Sequence, residues 1–302
     1  MQVLVTGATG FVGGHVVRAL RARGHQVRAL QHRGPPLAEW KEGPAIEVVH
    51  GSVLDASSLV PAARGIDAIV HLVGIIRERG TSTFERVHVG GAQNIVEAAE
   101  ATGVARILHM SALGIRPNAS SKYHKTKQRA EEIVRSSKTH WTIFRPSVIF
   151  GSGGDFCRQM ADLIRSTPIV PVLTTPFGKL QPVAVEEVAE AFIESLDRPE
   201  TFSQVINLGG PEKMNLLQLL RIFAVAMRRR RLFVPIPAVW VSIPIRLLER
   251  VLPAPPITSD QLAMLGEDNT CDTSVSERLF NIPRRRLIDG VIDLVQSGEI
   301  PG

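Results

Sequence analysis

The sequence predicts an α/β protein: a doubly wound parallel sheet followed by a smaller C-terminal α/β lobe. Three observations carry this. Short apolar runs alternate with helical stretches through residues 1–150. The first run feeds a glycine-rich turn, Thr6-Gly7-Ala8-Thr9-Gly10-Phe11-Val12-Gly13. Beyond Phe150 the rhythm changes and prolines become frequent. Strand and helix in alternation mean right-handed crossovers and a parallel sheet covered on both faces.

The first strand is Gln2–Thr6. Gly7, Gly10 and Gly13 follow with Gly-x-x-Gly-x-x-Gly spacing, and Phe11–Arg23 has helical periodicity. Glycine allows the tight turn, the approach of backbone to a pyrophosphate, and close packing of helix on strand. Free N–H groups at the helix start would meet the phosphates. This strand–turn–helix unit points to a Rossmann-type dinucleotide site; a glycine turn without a ligand is the plain alternative. The second strand, Gln26–Gln31, ends in Leu30-Gln31-His32-Arg33 with no acid. A carboxylate there grips the ribose hydroxyls of NAD, whereas Arg33 and His32 would pair with a 2′-phosphate. NADP(H) is therefore the preferred cofactor and NAD(H) the alternative.

Further strand-like runs are Ile46–His50, Ala68–Val73, Arg106–Met110 and Trp141–Arg145. Helix-like segments lie near Ser57–Ala63, Thr83–Ala101 and Tyr123–Ser136. Ser82-Thr83-Phe84-Glu85 reads as a capping box opening the long helix. Residues 1–150 form the expected dinucleotide domain. Residues 151–302 form the smaller substrate or partner lobe, with a segment near 182–209 returning to the first domain. In that lobe Gly151–Asp155 is a loop, and capped helices start after Asn215 and Thr258.

The chemistry sits in the middle. Tyr123, the only tyrosine, stands four residues before Lys127, on one helix face. A nearby ammonium lowers a phenol's pKa, which is how this tyrosine could exchange protons near neutral pH. Ser111 follows the strand Arg106–Met110, where it could hold a carbonyl or alcohol. Lys127 could also bond a nicotinamide ribose. The bland alternative is that Ser111 caps a loop and Lys127 faces solvent.

Composition narrows the rest. The two cysteines, Cys157 and Cys271, are far apart, so no disulfide framework and no structural metal are expected. Met1 leads straight into a strand without a basic leader, which points to the cytoplasm. The net charge of +6 would attract anions. No nucleic-acid motif accompanies it, so no nucleic-acid partner is expected. The apolar stretch Leu232–Leu248 is interrupted by Pro235, Pro237, Pro244 and Arg246 and is too short to span a bilayer.

These residues carry a family resemblance. Thr6–Gly13, Gly51–Asp55, His71-Leu72-Val73-Gly74, Ser111, Tyr123, Lys127, Arg145-Pro146 with Gly151, and Gln181-Pro182-Val183 resemble an extended or atypical short-chain dehydrogenase/reductase, of the NAD-dependent epimerase/dehydratase kind. The likeness runs from Met1 to Gly210. Within that superfamily, Met110–Gly114, Tyr123–Lys127, Arg145–Gly151 and Thr258–Asn269 are similar to the dehydrogenase-like accessory subunit of respiratory complex I. The likeness weakens over residues 228–256.

The resemblance implies that Gly7, Thr9, Gly10, Phe11 and Val12 cradle the pyrophosphate. It implies that Ser52 and Val53 border the adenine, although many members have Asp in place of Ser52. Leu72, Val73 and Gly74 would run beside the dinucleotide, and Pro146 and Val148 would lie near the nicotinamide amide. His88 departs from the family's Asn in the long helix, which puts an Asn-organised proton relay in doubt.

Two function classes follow. One is an NADP(H)-dependent oxidoreductase or epimerase acting on a small, quinone-related carbonyl or alcohol through Ser111, Tyr123 and Lys127. The other is a cofactor-binding accessory or assembly subunit of a membrane redox complex, without turnover. Arg228–Arg231 beside Phe233 and Trp240 would suit an anionic membrane surface, placing the protein peripherally on the membrane's inner face. A solvated arginine cluster over a strand and core helix is the plain alternative.

Overall fold

The computed structural model describes every residue except 36, 38–39, 41–45, 117, 176–177, 252–257 and 302, with backbone alone at 239, 243, 246–248 and 250–251. Residues 252–256, within the stretch where the resemblance weakens, lie outside the described residues.

The first half alternates β1 (Gln2–Thr6), α1 (Phe11–Ala22), β2 (Gln26–Gln31), β3 (Ile46–His50), α2 (Ala56–Ala63), β4 (Ala68–His71), α3 (Gly91–Thr102), β5 (Arg106–Met110), α4 (Lys122–Ser136) and β6 (His140–Pro146). The second half holds β7 (Ile149–Phe150), α5 (Asp155–Ser166), β8 (Ile169–Thr174), β9 (Lys179–Leu180), β10 (Val183–Ala184) and α6 (Val185–Glu194). It continues through β11 (Gln204–Leu208), β12 (Met214–Asn215), α7 (Leu216–Ala226), β13 (Leu232–Pro237), α8 (Ala238–Val251), α9 (Ser259–Leu265), α10 (Ser274–Leu279) and α11 (Leu287–Gln296).

Seven strands form one parallel sheet in the order β11-β6-β5-β4-β1-β2-β3. Strand order reverses at β1, so a crevice opens between the C-terminal ends of β1 and β4. β11 pairs with β6, from Gln204 opposite Thr142 to Leu208 opposite Pro146, and so ties the second half of the chain to the first sheet.

Alternation within the strands splits the core into two layers. Val3, Val5, Val70, Leu108 and Phe144 pack beneath α1 and α6. Leu4, Ile69, Ile107 and Ile143 pack beneath α2, α3 and α4. A third cluster, including Phe150, Cys157, Leu219, Phe223 and Val291, forms the core of the C-terminal lobe. There β8 and β13 make a two-stranded parallel ribbon, Ile169 opposite Leu232. Asn215 and Thr258 each close a capping box with Gln218 and Gln261, as their sequences suggest.

Two local expectations are corrected. β4 stops at His71, leaving Leu72 and Val73 in the following loop. The long helix begins with a π-helical turn, Glu85–Gly90, before α3. Ser82 does not cap it. Ser82 pairs its backbone with Arg79, and Thr83 accepts from the amides of Arg86 and Val87. The Phe84 amide is taken by Glu78.

Candidate active site

The glycine turn is shaped by close approaches. Gly7 has φ +76°, a conformation that disfavours a side chain. A Cβ on Gly13 would lie 2.0 Å from the Gly7 carbonyl oxygen. Gly10 caps α1 with backbone alone, and no acid occupies the first turn of that helix. Thr9 is exposed, Phe11 half-buried and Val12 buried. The Phe11 ring packs on Gly154, where a Cβ would come within 2.9 Å of it. This cradle, which any side chain would fill, fits a bound dinucleotide pyrophosphate.

At the end of β2, His32 and Arg33 are exposed. Beneath them the buried Gln31 amide donates to the carbonyls of Arg33, Gly34 and Pro35 at 3.0, 3.1 and 2.8 Å. The loop is thus held in shape by a side chain that the sequence reading did not single out. After β3, Ser52 Oγ accepts from the Leu54 amide and Val53 is buried. Leu72, Val73 and Gly74 follow β4 beside the glycine turn, since a Cβ on Gly7 would meet the Val73 amide at 3.2 Å.

Lys127 is buried against this edge. Its Nζ donates to the Met110 carbonyl at 2.9 Å, and a Cβ on Gly74 would come within 3.1 Å of it. Burial lowers its pKa from 10.5 to about 8, opposed by the Glu131 carboxylate. Tyr123 lies among the rings of Phe84, His88 and His124, with centroids 5.9, 5.4 and 5.3 Å away. Its pKa is pushed up to about 12 by burial. The sequence suggested a lowered value from the neighbouring ammonium; desolvation of the phenolate sets the opposite direction here.

Ser111 is placed differently from the expectation. Its hydroxyl donates to Glu131 Oε1 at 2.7 Å, on the α4 side of the sheet. Glu131 is only 1 % exposed and also accepts from Arg145 Nε and Nη2 at 2.7 and 2.6 Å. Pro146 is buried and Val148 half-buried at the end of β6. Glu131 lies four residues after Lys127, a spacing that could have revealed it in the sequence.

Below Lys127 lies a row of buried imidazoles. Thr6 Oγ1 and His71 Nδ1 are 2.7 Å apart, and the His71 and His109 rings have centroids 5.1 Å apart. His88, in the π-helical turn, bonds Thr126 Oγ1 through Nδ1 at 2.9 Å, and the Ile75 backbone through Nε2. Burial, aided by the Lys127 charge, lowers His71 and His88 to about 3 and holds His109 well below its ordinary value. All three are therefore neutral imidazoles at physiological pH. Among the described residues, no cluster of three His, Cys, Asp or Glu is placed to hold a metal ion.

The known proteins similar to this chain agree with the geometry. A family model described as NAD(P)H-binding matches residues 7–199. The ceramide reductase of Caulobacter vibrioides is 34% identical over 63% of this chain and 59% of its own length. The mitochondrial NADH-ubiquinone oxidoreductase 40 kDa subunit of Neurospora crassa is 26% identical over 89% of this chain and 71% of its own. The chain thus spans about three fifths of the first relative and seven tenths of the second. A nucleoside-diphosphate-sugar epimerase from Staphylococcus aureus superposes with TM-score 0.79 at 18% identity, over 97% of this chain and 100% of that one, which shows the fold. The chain belongs to the NAD(P)H-binding family, is similar to this mitochondrial NADH-ubiquinone oxidoreductase subunit, and shares its fold with the sugar-nucleotide epimerase.

Proposed function

We propose that the protein is an NADP(H)-dependent reductase of carbonyls, or dehydrogenase of the matching alcohols, with Tyr123 as the proton-carrying group. The observation that carries this is the burial of Lys127 between Gly74 and the Met110 carbonyl, one helical turn from Tyr123. Gly7, Thr9, Gly10, Phe11, Val12 and Gly13 would hold the pyrophosphate, Ser52 and Val53 the adenine, and His32 and Arg33 the 2′-phosphate. Leu72, Val73 and Gly74 would flank the dinucleotide, with Pro146 and Val148 beside the nicotinamide. When bound, the reduced nicotinamide supplies a hydride to the carbonyl carbon. Tyr123 gives its proton to the carbonyl oxygen, and the Lys127 ammonium stabilises the phenolate left behind. Ser111 acts from behind the site, as a partner of Glu131. One relative is named for reducing ceramide, so the substrate class that fits this reading is a carbonyl on an apolar chain, a lipid or a quinone.

The test is NADPH oxidation by the purified protein with long-chain ketones and quinones. Tyr123→Phe should lower the rate about 100-fold or more while leaving NADPH affinity within about twofold. Equal rates in both proteins would remove Tyr123 as the acid.

A second reading is supported by the homology to complex I subunits and by one exposed face of the β8–β13 ribbon, formed by Ile169, Pro171, Leu232 and Val234. On this reading the protein holds NADP(H) as a structural ligand in a membrane redox assembly. It would carry nucleotide through purification, show no turnover with any carbonyl, and co-migrate with a membrane complex.

A further inference from the structure

We infer that Asp260 and Glu267, in the distant segment Thr258–Asn269, are positioning residues that hold the start of the helix bearing Tyr123. The inference rests on the reading of Tyr123 as the proton carrier for its catalytic meaning, but not for its geometry.

The start of α4 is electrostatically unfavourable as written. Its sequence, Lys122-Tyr123-His124-Lys125-Thr126-Lys127, has three lysines and no acid in the first turn. Cations at a helix N-terminus oppose the macrodipole, and the first N–H groups lack intrahelical partners. Ser121 satisfies one of them, its Oγ accepting from the His124 amide, while its carbonyl accepts from the Lys125 amide in the helix's first i→i−4 bond. The amides of Lys122 and Tyr123 are taken from far along the chain. Asp260 Oδ1 accepts from the Lys122 amide at 2.6 Å, and Asp260 Oδ2 from the Tyr123 amide at 3.3 Å.

Glu267 completes the clamp two residues earlier, at Ser120. Its Oε1 accepts from the Ser120 amide at 3.1 Å and the Ser120 hydroxyl at 2.8 Å. Arg116 approaches the same oxygen at 3.4 Å. His124 Nδ1 lies 2.8 Å from Oε2, out of line for a hydrogen bond, and burial keeps His124 below its ordinary pKa. Glu267 is buried, and its Oε1 bonds to Ser120 are what compensate that burial.

The same segment fastens the other strand-end loops. Gln261 Oε1 accepts from Arg77 Nη2, in the loop after β4, at 3.2 Å. Asn269 accepts at its backbone oxygen from Ser147 Oγ, after β6, at 3.0 Å. The Asn269 amide donates to the Lys179 carbonyl at 2.8 Å. One stretch therefore links the loops after β4, β5 and β6. The register of Tyr123 and Lys127 against the strand ends depends on it.

The test is residue-resolved amide exchange by NMR on the full chain, alongside steady-state kinetics. Asp260→Ala should speed exchange of the Lys122 and Tyr123 amides about tenfold or more, while the Val16 and Val17 amides in α1 are unchanged. Asp260→Glu should recover part of that protection. With a substrate in hand, kcat should fall in Asp260→Ala while the KM for NADPH stays within about twofold. Unchanged exchange at Lys122 and Tyr123 would overturn the inference, and so would a uniform rise across the molecule, which marks general destabilisation. If Asp260→Ala opens the helix start but Tyr123→Phe leaves turnover intact, the positioning role stands and the acid assignment fails.

Discussion

The hydroxyl of Ser111 and the carboxylate of Glu131 form a buried 2.7 Å hydrogen bond across β5 and α4. The same carboxylate pairs with Arg145 and opposes the desolvation of Lys127. Glu131→Gln should therefore move the Lys127 pKa below about 8. Any property that depends on the Lys127 charge would then be lost at lower pH. Removing one partner of a buried pair should also cost about 3 kcal/mol, read as a drop in the urea midpoint. Ser111→Ala should cost about 1 kcal/mol and leave turnover within about threefold. A loss as large as that of Tyr123→Phe would return Ser111 to the substrate itself.

Cofactor choice is tested at β2. Nucleotide-free protein should bind NADPH about tenfold tighter than NADH, or ~1.4 kcal/mol, by calorimetric titration. Arg33→Ala should narrow the gap. Gln31→Ala should narrow it too, because the Gln31 amide holds the carbonyls of residues 33–35. Equal affinities in the parent protein would sink the 2′-phosphate argument.

Acid stability follows from the imidazole row. His71 and His88 titrate near 3 in the folded chain, and burial holds His109 well below the ordinary value of 6.5. Between those values the unfolded chain binds protons that the folded chain refuses, so stability falls as pH drops from 6.5 toward 3. The slope is about 1.4 kcal/mol per pH unit for each imidazole. Urea midpoints at pH 7, 6 and 5 should decline, and less steeply in His109→Leu. A flat profile would mean that these rings already take up protons in the fold.

Local spacing made much of this legible. The glycine turn, the Tyr123–Lys127 pair and the capping boxes at Asn215 and Thr258 are each written within a few residues. What escaped was set by distance or burial. Asp260 reaches the amide of Lys122 from 138 positions away, and no local pattern announces that. Thr83 rather than Ser82 meets the π-helical turn, because Ser82 is drawn into a backbone pair with Arg79. Desolvation reversed the expected direction of the Tyr123 shift, since a lysine's proximity is visible in sequence and the dryness around a phenol is not.

Membrane attachment is the last prediction. The inner face of the β8–β13 ribbon, with Val170 and Val172, is buried. On its outer face Ile169, Pro171, Leu232 and Val234 are exposed, and Trp240 at the start of α8 is 73 % exposed. Arg228, Arg229 and Arg230 are exposed just before β13, while Arg231 donates Nε to the Ile164 carbonyl. Among the described residues no helix is long and apolar enough to cross a membrane. Attachment at this face would set the apolar side chains and Trp240 at the interface and the arginines among the head groups. Each exposed arginine can contribute about 1 kcal/mol near an anionic surface, weakened by salt. The protein should co-sediment with vesicles containing phosphatidylserine at low salt and dissociate as salt rises. Neutral replacements at Arg228–Arg231 should abolish sedimentation and leave NADPH binding unchanged, because the nucleotide cradle lies at β1 and α1. Trp240→Ala should weaken attachment at every salt concentration, since it removes an apolar contact that ions do not screen. No sedimentation at any ionic strength would leave the exposed ribbon without a lipid partner and shift the weight to a reductase working away from membranes.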